Sequence, residues 1–428
     1  MIMCVFLVSL FGMLALGVPI FMSIGTSGLA LFFAGVGEFA PNIMIQRMYS
    51  GLNSFTLMAI PLFMLAGEIM NRGELSKKMV RFANCLLGWV PGGLGFTTVI
   101  ACMFIAAILG SASAAAAMIG AILIPEMVSR GYDKDFACAL TASAGSIGPI
   151  IPPSIPMIIY GVIANVSVVK MFVAGYIPGV LMGLMFMVYS YIYARKHNYP
   201  AEKKPTAAEA WTSFKAAFLT LLLPVIIMGS ILTGICTATE AAVLAVVYAF
   251  ILSILVYHTL SLKELPDILM NAAKSSAMVL IVVAAANMLS WAVTMMNVPQ
   301  MVSVFVKSVT SSAAVFLLIV NAILIIAGMF LDATSAIMIL TPVLLPIAQE
   351  LGIHPLAFGI IMTVNLSIGV LTPPVGLNLY VVSSLSKVDI LKVAKAAIPF
   401  ILLICAILAI MSVWPQTITF LPDLMYGA

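Results

Sequence analysis

The segment Gly-Ser-Ile-Gly-Pro-Ile-Ile-Pro-Pro-Ser-Ile-Pro-Met-Ile-Ile-Tyr-Gly, residues 145–161, decides the fold of this chain. It lies inside an apolar run from Phe136 to Val169 that is long enough to cross a lipid bilayer. A continuous helix is excluded by the prolines, each of which lacks an amide donor and clashes with the preceding turn. They stand at Pro149, Pro152, Pro153 and Pro156. We therefore predict a helix, a short extended break and a second helix. At membrane depth, freed backbone groups are tolerated only where they face protein or a polar cavity, so the break is a candidate binding site.

The same pattern occurs a second time. Residues 367–374, Ser-Ile-Gly-Val-Leu-Thr-Pro-Pro, repeat residues 146–153, Ser-Ile-Gly-Pro-Ile-Ile-Pro-Pro, at an offset of 221 residues. The offset holds upstream without a gap, since it maps Gly131 onto Gly352 and residues 111–113 onto 332–334. A shared register over these positions predicts an internal structural repeat.

The composition restricts the class of protein. Charged residues are 8% of the chain and hydrophobic residues 63%, against about 25% and 45–50% in soluble domains. This predicts an all-α polytopic membrane protein in contact with lipid and without a nucleic-acid partner. The six cysteines are scattered through apolar runs and are interpreted as small core residues. There is no phosphate loop, H-E-x-x-H or G-x-S-x-G motif, so the sequence does not indicate an enzyme.

Ten apolar runs are predicted as membrane spans. They cover residues 3–17, 20–36, 55–71, 133–165, 171–194, 214–235, 238–257, 268–297, 354–386 and 396–415. Two further apolar stretches, 94–129 and 313–350, are interrupted near the middle by small polar residues at 110–113 and 331–335. Each stretch is either a pair of full spans or a re-entrant hairpin. Halves of about 16 residues are short for a hydrocarbon core of about 30 Å.

Charge distribution favours the hairpins. With both stretches re-entrant, 16 of the 19 Lys and Arg residues fall on one side of the membrane, and only Arg47, Lys170 and Lys307 fall on the other. The positive-inside rule makes the majority side cytoplasmic and both termini periplasmic. Five spans then separate the two hairpins, so the second enters from the opposite face. Inverted repeats with broken helices are typical of secondary transporters.

The chain divides into five predicted segments. Residues 1–90 hold scaffold spans and an amphipathic interfacial arm helix at 73–90, for which an ordinary loop is the alternative. Residues 91–165 hold the first hairpin and broken helix of a transport domain. Residues 166–311 are scaffold spans with a linker at 197–210 and a second arm at 298–311. Residues 312–386 hold the second hairpin and broken helix, and residues 387–428 the last scaffold span.

The hairpin tips and the breaks carry the predicted binding chemistry. A half-helix begins at each tip, and its free amides and positive dipole end suit a carboxylate. The predicted substrate-binding residues are Ser111, Ala112, Ser113, Ser154, Asp332, Ala333 and Thr334. Freed carbonyls with nearby hydroxyls suit sodium, of which we expect two or more ions. Site 1 is predicted at Ser111, Ser113, Gly145, Ser146, Gly148 and Pro149, and site 2 at Gly328, Asp332, Thr334, Gly369 and Thr372.

A structural explanation stands beside the functional one. The interruptions are also compatible with packing kinks that carry local caps, with Ser111 or Ser113 capping one half-helix and Asp332 or Thr334 the other. Asp332 is the acid in the middle of a long apolar stretch, where a buried charge is costly. A bound sodium ion would explain it, and a helix cap that faces water is the alternative.

With these motifs in view, the chain resembles the large membrane subunit of tripartite ATP-independent periplasmic (TRAP) transporters. The resemblance covers nearly the whole length and is most specific at residues 110–114, 148–154, 237–242 and 372–376. It implies sodium-driven uptake of an organic acid across the bacterial inner membrane by an elevator motion. It also implies a soluble periplasmic binding protein and a small four-span membrane subunit, here expected as a separate chain.

Within the family, the overall appearance leans toward the sialic acid branch. The alternative is a self-sufficient sodium–carboxylate symporter or antiporter that has the same inverted repeat and needs no binding protein. An ion channel fits less well, because proline-broken spans suit alternating access better than a fixed pore.

The topology can be tested by labelling single cysteines. We expect a cysteine near Lys203 to react with an impermeant reagent only from the cytoplasm, and one near Lys307 only from the periplasm, because of the charge asymmetry. Reaction of both positions from the same face would contradict the inverted repeat.

Overall fold

The computed structural model describes residues 2–35, 41–201 and 203–427, and within these ranges the regular structure is helical. The helices are α1 Ile2–Ala15, α2 Ile20–Gly35, α3 Pro41–Leu52, α4 Ala59–Arg72, α5 Leu75–Leu87, α6 Gly93–Leu109, α7 Ala112–Ser129, α8 Lys134–Gly145, α9 Ile155–Ala164, α10 Val168–Lys196, α11 Ala207–Leu232, α12 Ala238–Ile251, α13 Leu265–Met295, α14 Val298–Val309, α15 Ala313–Phe330, α16 Ala333–Glu350, α17 Pro355–Gly369, α18 Leu377–Ser386, α19 Ile390–Val413 and α20 Gln416–Tyr426. Short 3₁₀ turns precede α4 and α13, and a π turn follows α12.

Both predicted breaks are present. Broken helix 1 consists of α8 and α9, and broken helix 2 consists of α17 and α18. The chain between the halves leaves helical geometry at residues 146–154 and again at 370–376, and each interruption contains a cis Pro–Pro peptide bond. The proline-rich segments therefore interrupt the helices where the sequence predicted.

The internal repeat is visible element by element. Hairpin 1 is α6 with α7, and hairpin 2 is α15 with α16; α7 and α16 have the same length and the same 221-residue offset as the sequence motifs. The packing is reciprocal, because α7 lies against α18 while α16 lies against α9, and α8 lies against α19 while α17 lies against α10. This exchange of partners is what a two-fold axis between the repeats requires. Five spans separate the hairpins, so the repeats are inverted.

The tip of hairpin 1 (residues 110–113) ends at the middle of a span. A Cβ atom added at Gly110 would lie 2.8 Å from the carbonyl oxygen of Pro153 and 2.9 Å from the amide nitrogen of Ile155. Gly110 also has a φ of +58°, which favours glycine. Since Pro153 lies in the interruption of broken helix 1, the hairpin turns back at that depth. A tip that contacts the interruption of a broken helix is the arrangement that a re-entrant hairpin requires, and this contact favours the hairpin over a pair of full spans.

The ten predicted spans are recovered when α1, α2 and α4 are included, each broken helix is counted as one span, and the hairpin arms are left out. Eight of the described helices are long and apolar enough to cross a bilayer, or up to nine if α3 and α4, bent by 61°, form one span. The eight include α7, α15 and α16, which are hairpin arms, and omit the short helices α1 and α2 and the halves of the broken helices. The predicted second span ends at residue 36, outside the described residues.

A row of small residues on α10 supports broken helix 1. A Cβ atom at Gly175 would lie 2.3 Å from the carbonyl oxygen of Ile150, and one at Gly179 would lie 2.5 Å from the Ile151 side chain. Glycine is therefore required for the close approach of α10 to the interruption. Helices α10 and α19 were predicted as scaffold spans. They pack on the hairpins, the broken helices and α20, and these contacts favour placing them with the hairpins and broken helices.

The two arm helices are present as α5 and α14. The buried face of α5 is formed by Leu75, Met79, Val80 and Ala83. This face lies against α6 and α11, whereas Leu86 near the end of the helix is exposed. The matching arm α14 is joined to hairpin 2 by an ion pair in which Lys307 Nζ lies 2.8 Å from Glu350 Oε2.

Candidate transport site

Both hairpin tips and both breaks line one cavity of about 210 Å³. Each hairpin contributes its tip residues, and the broken helices contribute residues from the ends that flank each interruption. The wall contains Gly110, Ser111, Ala112, Ser113, Pro149, Ile155, Pro156, Asp332, Ala333, Thr334, Leu366, Ser367, Val370 and Leu377. Four interruptions that lie far apart in the sequence are thus brought together at one depth.

The tip of hairpin 1 presents a helix start without a side-chain cap. Ser111 is the residue before the first turn of α7, yet its hydroxyl makes no capping hydrogen bond. Its oxygen lies 3.5 Å from that of Ser113. The predicted cap is therefore wrong for this helix. The first amides of α7 keep their hydrogen-bonding capacity and the positive end of the helix dipole beside the cavity.

The tip of hairpin 2 is organised differently, because Asp332 caps α16. One carboxylate oxygen accepts hydrogen bonds from the amides of Thr334, at 3.0 Å, and Ser335, at 3.3 Å. The other oxygen accepts the hydroxyl of Ser335 at 2.5 Å. The two tips therefore present opposite charges, a positive helix end at hairpin 1 and an aspartate at hairpin 2.

The residues of predicted sodium site 1 lie where broken helix 1 meets the tip of hairpin 1. A Cβ atom at Gly148 would lie 2.8 Å from the carbonyl oxygen of Ser111, and one at Gly145 would lie 2.9 Å from that of Ala112. The Gly145 carbonyl already accepts the amide of Gly148, and the Ser146 hydroxyl donates to the carbonyl of Ser143. Pro149 lines the cavity itself, whereas Gly145, Ser146 and Gly148 do not.

The residues of predicted sodium site 2 form the equivalent contact in the second repeat. Gly328 and Gly369 approach so closely that a Cβ atom at Gly369 would lie 2.4 Å from the Gly328 backbone. The Gly369 carbonyl accepts the amide of Thr372, and the Thr372 hydroxyl donates to the carbonyl of Ile368 at 2.8 Å. Asp332 and Thr334 lie on the cavity wall, and Gly328, Gly369 and Thr372 do not.

Ser154 stands apart from the other predicted substrate-binding residues. It is fully buried and does not line the cavity. Its hydroxyl donates to the carbonyl of Pro149 and accepts the amide of Met157 in the first turn of α9. The contacts in the structure give this side chain a role in closing the interruption of broken helix 1.

Two larger cavities adjoin the central one. The first, of about 600 Å³, runs from Ser111 and Ser113 to Glu68, Asn71 and Lys77, on the side that carries most of the Lys and Arg residues. At its rim Lys77 is hydrogen-bonded to Glu74 and lowers the pKa of that carboxyl group. The second, of about 560 Å³, is mainly apolar and lies between hairpin 2, α13 and the turn between α1 and α2.

The sequence analysis missed several residues of the site. Met64 on α4 and Val279 on α13 close the central cavity. They sit in long apolar helices where nothing in the local pattern distinguishes them. Two buried asparagines also join the interruptions to neighbouring helices, since Asn378 donates to the carbonyl of Ala142 and Asn365 to Asn321. A polar side chain within an apolar run was the signal that could have located these two.

Comparison with known proteins decides the family. Residues 7–417 match the family described as the tripartite ATP-independent periplasmic transporter, DctM component. The chain belongs to this family. It is 39% identical to the 2,3-diketo-L-gulonate TRAP transporter large permease protein YiaN of Escherichia coli, over 99% of this chain and 98% of that protein. It is 36% identical to the sialic acid TRAP transporter large permease protein SiaM of Vibrio cholerae, over 98% and 99% of the two chains.

A solved structure supports the fold of this TRAP large permease. The YdaH transporter of Alcanivorax borkumensis superimposes with a TM-score of 0.59 at 15% sequence identity, and the match covers 87% of each chain. At this identity the likeness concerns the fold. The family supports secondary transport of organic acids across the inner membrane, together with a small membrane subunit and a periplasmic binding protein.

The different positions of Ser154 and Ser113 give a testable contrast. Ser154→Ala leaves the buried carbonyl of Pro149 without its donor, so we expect a loss of about 1–3 kcal/mol in the free energy of unfolding. Ser113→Ala removes a hydroxyl that faces the cavity and should leave the unfolding temperature unchanged. Thermal unfolding of the purified protein in detergent compares the two, and equal stability of the variants would contradict the structural role of Ser154.

Proposed function

We propose that this TRAP large permease carries out sodium-coupled uptake of an organic acid that a periplasmic binding protein delivers. The observation that carries the proposal is the single cavity lined by both hairpin tips and both breaks. It combines a helix start without a side-chain cap, which suits an anion, with hydroxyl, carboxylate and carbonyl oxygens, which suit a small hard cation.

The substrate carboxylate is assigned to the tip of hairpin 1. The free amides of α7 and the hydroxyls of Ser111 and Ser113 supply donors, and Ala112 leaves room for close approach to the backbone. At the tip of hairpin 2, the Asp332 carboxylate would repel an anion unless a cation lies between them. Ala333 and Thr334 then contact the part of the substrate that points away from its carboxylate.

The sodium ions are assigned to the two equivalent contacts between tips and breaks. Site 1 comprises Ser111, Ser113, Gly145, Ser146, Gly148 and Pro149, and site 2 comprises Gly328, Asp332, Thr334, Gly369 and Thr372. The carbonyls of Gly145 and Gly369 each accept one intrachain amide and keep a second lone pair. A bound cation would use this remaining acceptor capacity.

The charge balance favours at least two sodium ions for each substrate molecule. Moving a monoanion into a cell with a negative interior costs about 2.3 kcal/mol per charge per 100 mV. One sodium ion only cancels that charge, whereas two make the cycle net positive and allow the membrane potential to drive uptake.

An elevator motion fits the way the helices are grouped. Hairpins 1 and 2, the broken helices, α10 and α19 pack mainly on one another, and α1 to α4 and α11 to α13 form a second set, the scaffold. The cavity of about 600 Å³ joins the site to the side that carries most of the Lys and Arg residues, which is the opening expected of an inward-facing state. Sliding of the first set along α4 and α13 would carry the site to the other side.

The substrate class follows from the chemistry of the tip and not from any single relative. The similar permeases are named for diketogulonate and for sialic acid, at 39% and 36% identity, so the sialic acid branch is not favoured over others. We assign the small four-span subunit to the scaffold and both termini to the periplasm. Transport without an added binding protein would support the self-sufficient symporter instead.

Asp332→Asn tests the coupling, because the chain contains a matched control. Asp389 caps α19 in the same manner, accepting the amides of Leu391 at 2.9 Å and Lys392 at 3.3 Å, and it lies away from the cavity. Asparagine can cap either helix. Only Asp332→Asn removes a charged sodium ligand, worth about 1.5–3 kcal/mol, so it should raise the half-saturating sodium concentration about tenfold or more and lower the Hill slope.

The measurement is the initial uptake of labelled organic acids by proteoliposomes that contain the large and small subunits and the binding protein. An imposed potential should stimulate uptake by the wild type. If Asp332→Asn shows the same sodium dependence as Asp389→Asn, then Asp332 is a helix cap and the assignment of site 2 fails.

The elevator is tested by a cross-link between the two sets of helices. A Cβ atom at Gly67 on α4 would lie 2.2 Å from the Leu109 side chain on α6, so a Gly67→Cys/Leu109→Cys pair in a cysteine-free background should form a disulfide. We expect oxidation to stop transport and reduction to restore it. A Gly73→Cys/Ser253→Cys pair, which joins two parts of the scaffold, should leave transport intact. Undiminished transport by the oxidised first pair would exclude the sliding motion.

A further inference from the structure

A groove between the arm helix α5 and the first turns of α11 has no place in the transport cycle described above. Its volume is about 450 Å³. Two cations of α5 form one wall, and small and polar residues of α11 form the other. The lining residues are Lys78, Arg81, Ala208, Glu209, Thr212, Ser213 and Ala216.

The basic wall of the groove is held in place by its neighbours. The Lys78 ammonium group lies 4.1 Å from the centre of the Tyr257 ring. The Tyr257 hydroxyl in turn donates to the carbonyl of Ala216 on the opposite wall, at 3.0 Å. Arg81 lies one helical turn beyond Lys78 and makes no ion pair with the described residues. The groove therefore presents one oriented ammonium group and one available guanidinium group.

The acid in the groove does not neutralise these cations directly. Glu209 belongs to the capping box that begins α11, in which its carboxylate accepts the Thr206 amide at 2.7 Å and the Thr206 hydroxyl at 2.9 Å. Capping fixes this carboxylate at the start of the helix. The lining keeps an excess of positive charge. Nearby in the sequence, Lys77 lies on α5, Lys215 on α11, and Lys203 and Lys204 in the linker that precedes α11.

Aromatic side chains place the groove at the level of the lipid headgroups. Trp211 is 66% exposed and Trp89 is 41% exposed, with the Lys204 ammonium group 5.2 Å from the centre of the Trp89 ring. Tryptophan at such positions marks the membrane–water interface. Farther along α11, Phe214 lies against Phe82 of α5, with ring centres 5.7 Å apart and ring planes tilted by 52°, and Phe218 is 42% exposed.

We propose that this groove binds an anionic phospholipid of the cytoplasmic leaflet. The headgroup phosphate lies between Lys78 and Arg81, and an acyl chain runs into the bilayer along the exposed apolar side chains of α11, such as Phe218. Basic pockets at the cytoplasmic ends of membrane helices bind such headgroups. A soluble phosphate would use the same cations, but it would gain nothing from the exposed Trp211 and Phe218 side chains of α11, which suit the membrane–water interface and the bilayer. The bound lipid contacts both the arm helix α5 and the scaffold helix α11, and so holds the arm helix against the scaffold.

The test measures phosphatidylglycerol retained by the purified permease. The permease is delipidated, incubated with mixed micelles of phosphatidylglycerol and phosphatidylcholine, and examined by native mass spectrometry. We expect preferential binding of phosphatidylglycerol, and a fall of more than about tenfold in its retention in Lys78→Gln/Arg81→Gln, since two cations are lost. The matched control, Lys196→Gln/Lys263→Gln, removes two cytoplasmic charges outside the groove and should behave as the wild type.

Two further measurements separate the alternatives. Unfolding temperatures of all variants in neutral detergent show whether a loss of bound lipid reflects misfolding. Arg81→Lys keeps the positive charge, so retention of phosphatidylglycerol by this variant supports the site. Equal phosphatidylglycerol retention by Lys78→Gln/Arg81→Gln and the wild type would overturn the proposal. Displacement of the lipid by millimolar inorganic phosphate or glycerol 3-phosphate would also overturn it, because the groove would then be a site for soluble anions.

Discussion

The structure depends on the requirement that backbone groups inside a bilayer find hydrogen-bonding partners within the protein. Two spans are interrupted by prolines, so each exposes peptide groups at the depth where water is absent. Each interruption is covered by the tip of a hairpin that enters from the nearer face. The cover is close because glycines stand at the points of contact, Gly148 against Ser111 and Gly369 against Gly328. The same contacts gather the backbone carbonyl oxygens to which we assign the sodium ions, so in this proposal one set of contacts both covers the interrupted backbone and forms the ion sites.

Much of this architecture could be predicted from the sequence, because its causes are local. The prolines within residues 149–156 interrupt a helix whatever surrounds them. The 221-residue offset between the sequence motifs is also the offset between the ends of α7 and those of α16. Charge distribution selected the re-entrant hairpins over pairs of full spans. The arm helix α5 was visible from its amphipathic period, because its apolar and cationic residues recur at helical spacing on different faces.

The remaining features come from tertiary packing and leave no local signal. Met64 and Val279 reach the cavity only because α4 and α13 pass the hairpin tips. The grouping of α10 and α19 with the hairpins depends on contacts such as that of Gly175 with Ile150, between elements that the hydropathy pattern does not relate. Ser154 was predicted to bind the substrate, but its hydrogen bonds within the interruption of broken helix 1 take up the hydroxyl.

The repeats are equivalent in backbone but not in charge, and the difference lies at one pair of positions. Ser111 and Asp332 precede α7 and α16 at the same place in each hairpin. Because Asp332 accepts hydrogen bonds from the first amides of α16, that helix end has few free donors for an anion. The first amides of α7, in contrast, have no side-chain partner. A pseudosymmetric fold thereby acquires one end that attracts an anion and one that attracts a cation. On the proposed assignment, the polarity of the site therefore lies in these two side chains, whereas its geometry lies in the repeated backbone.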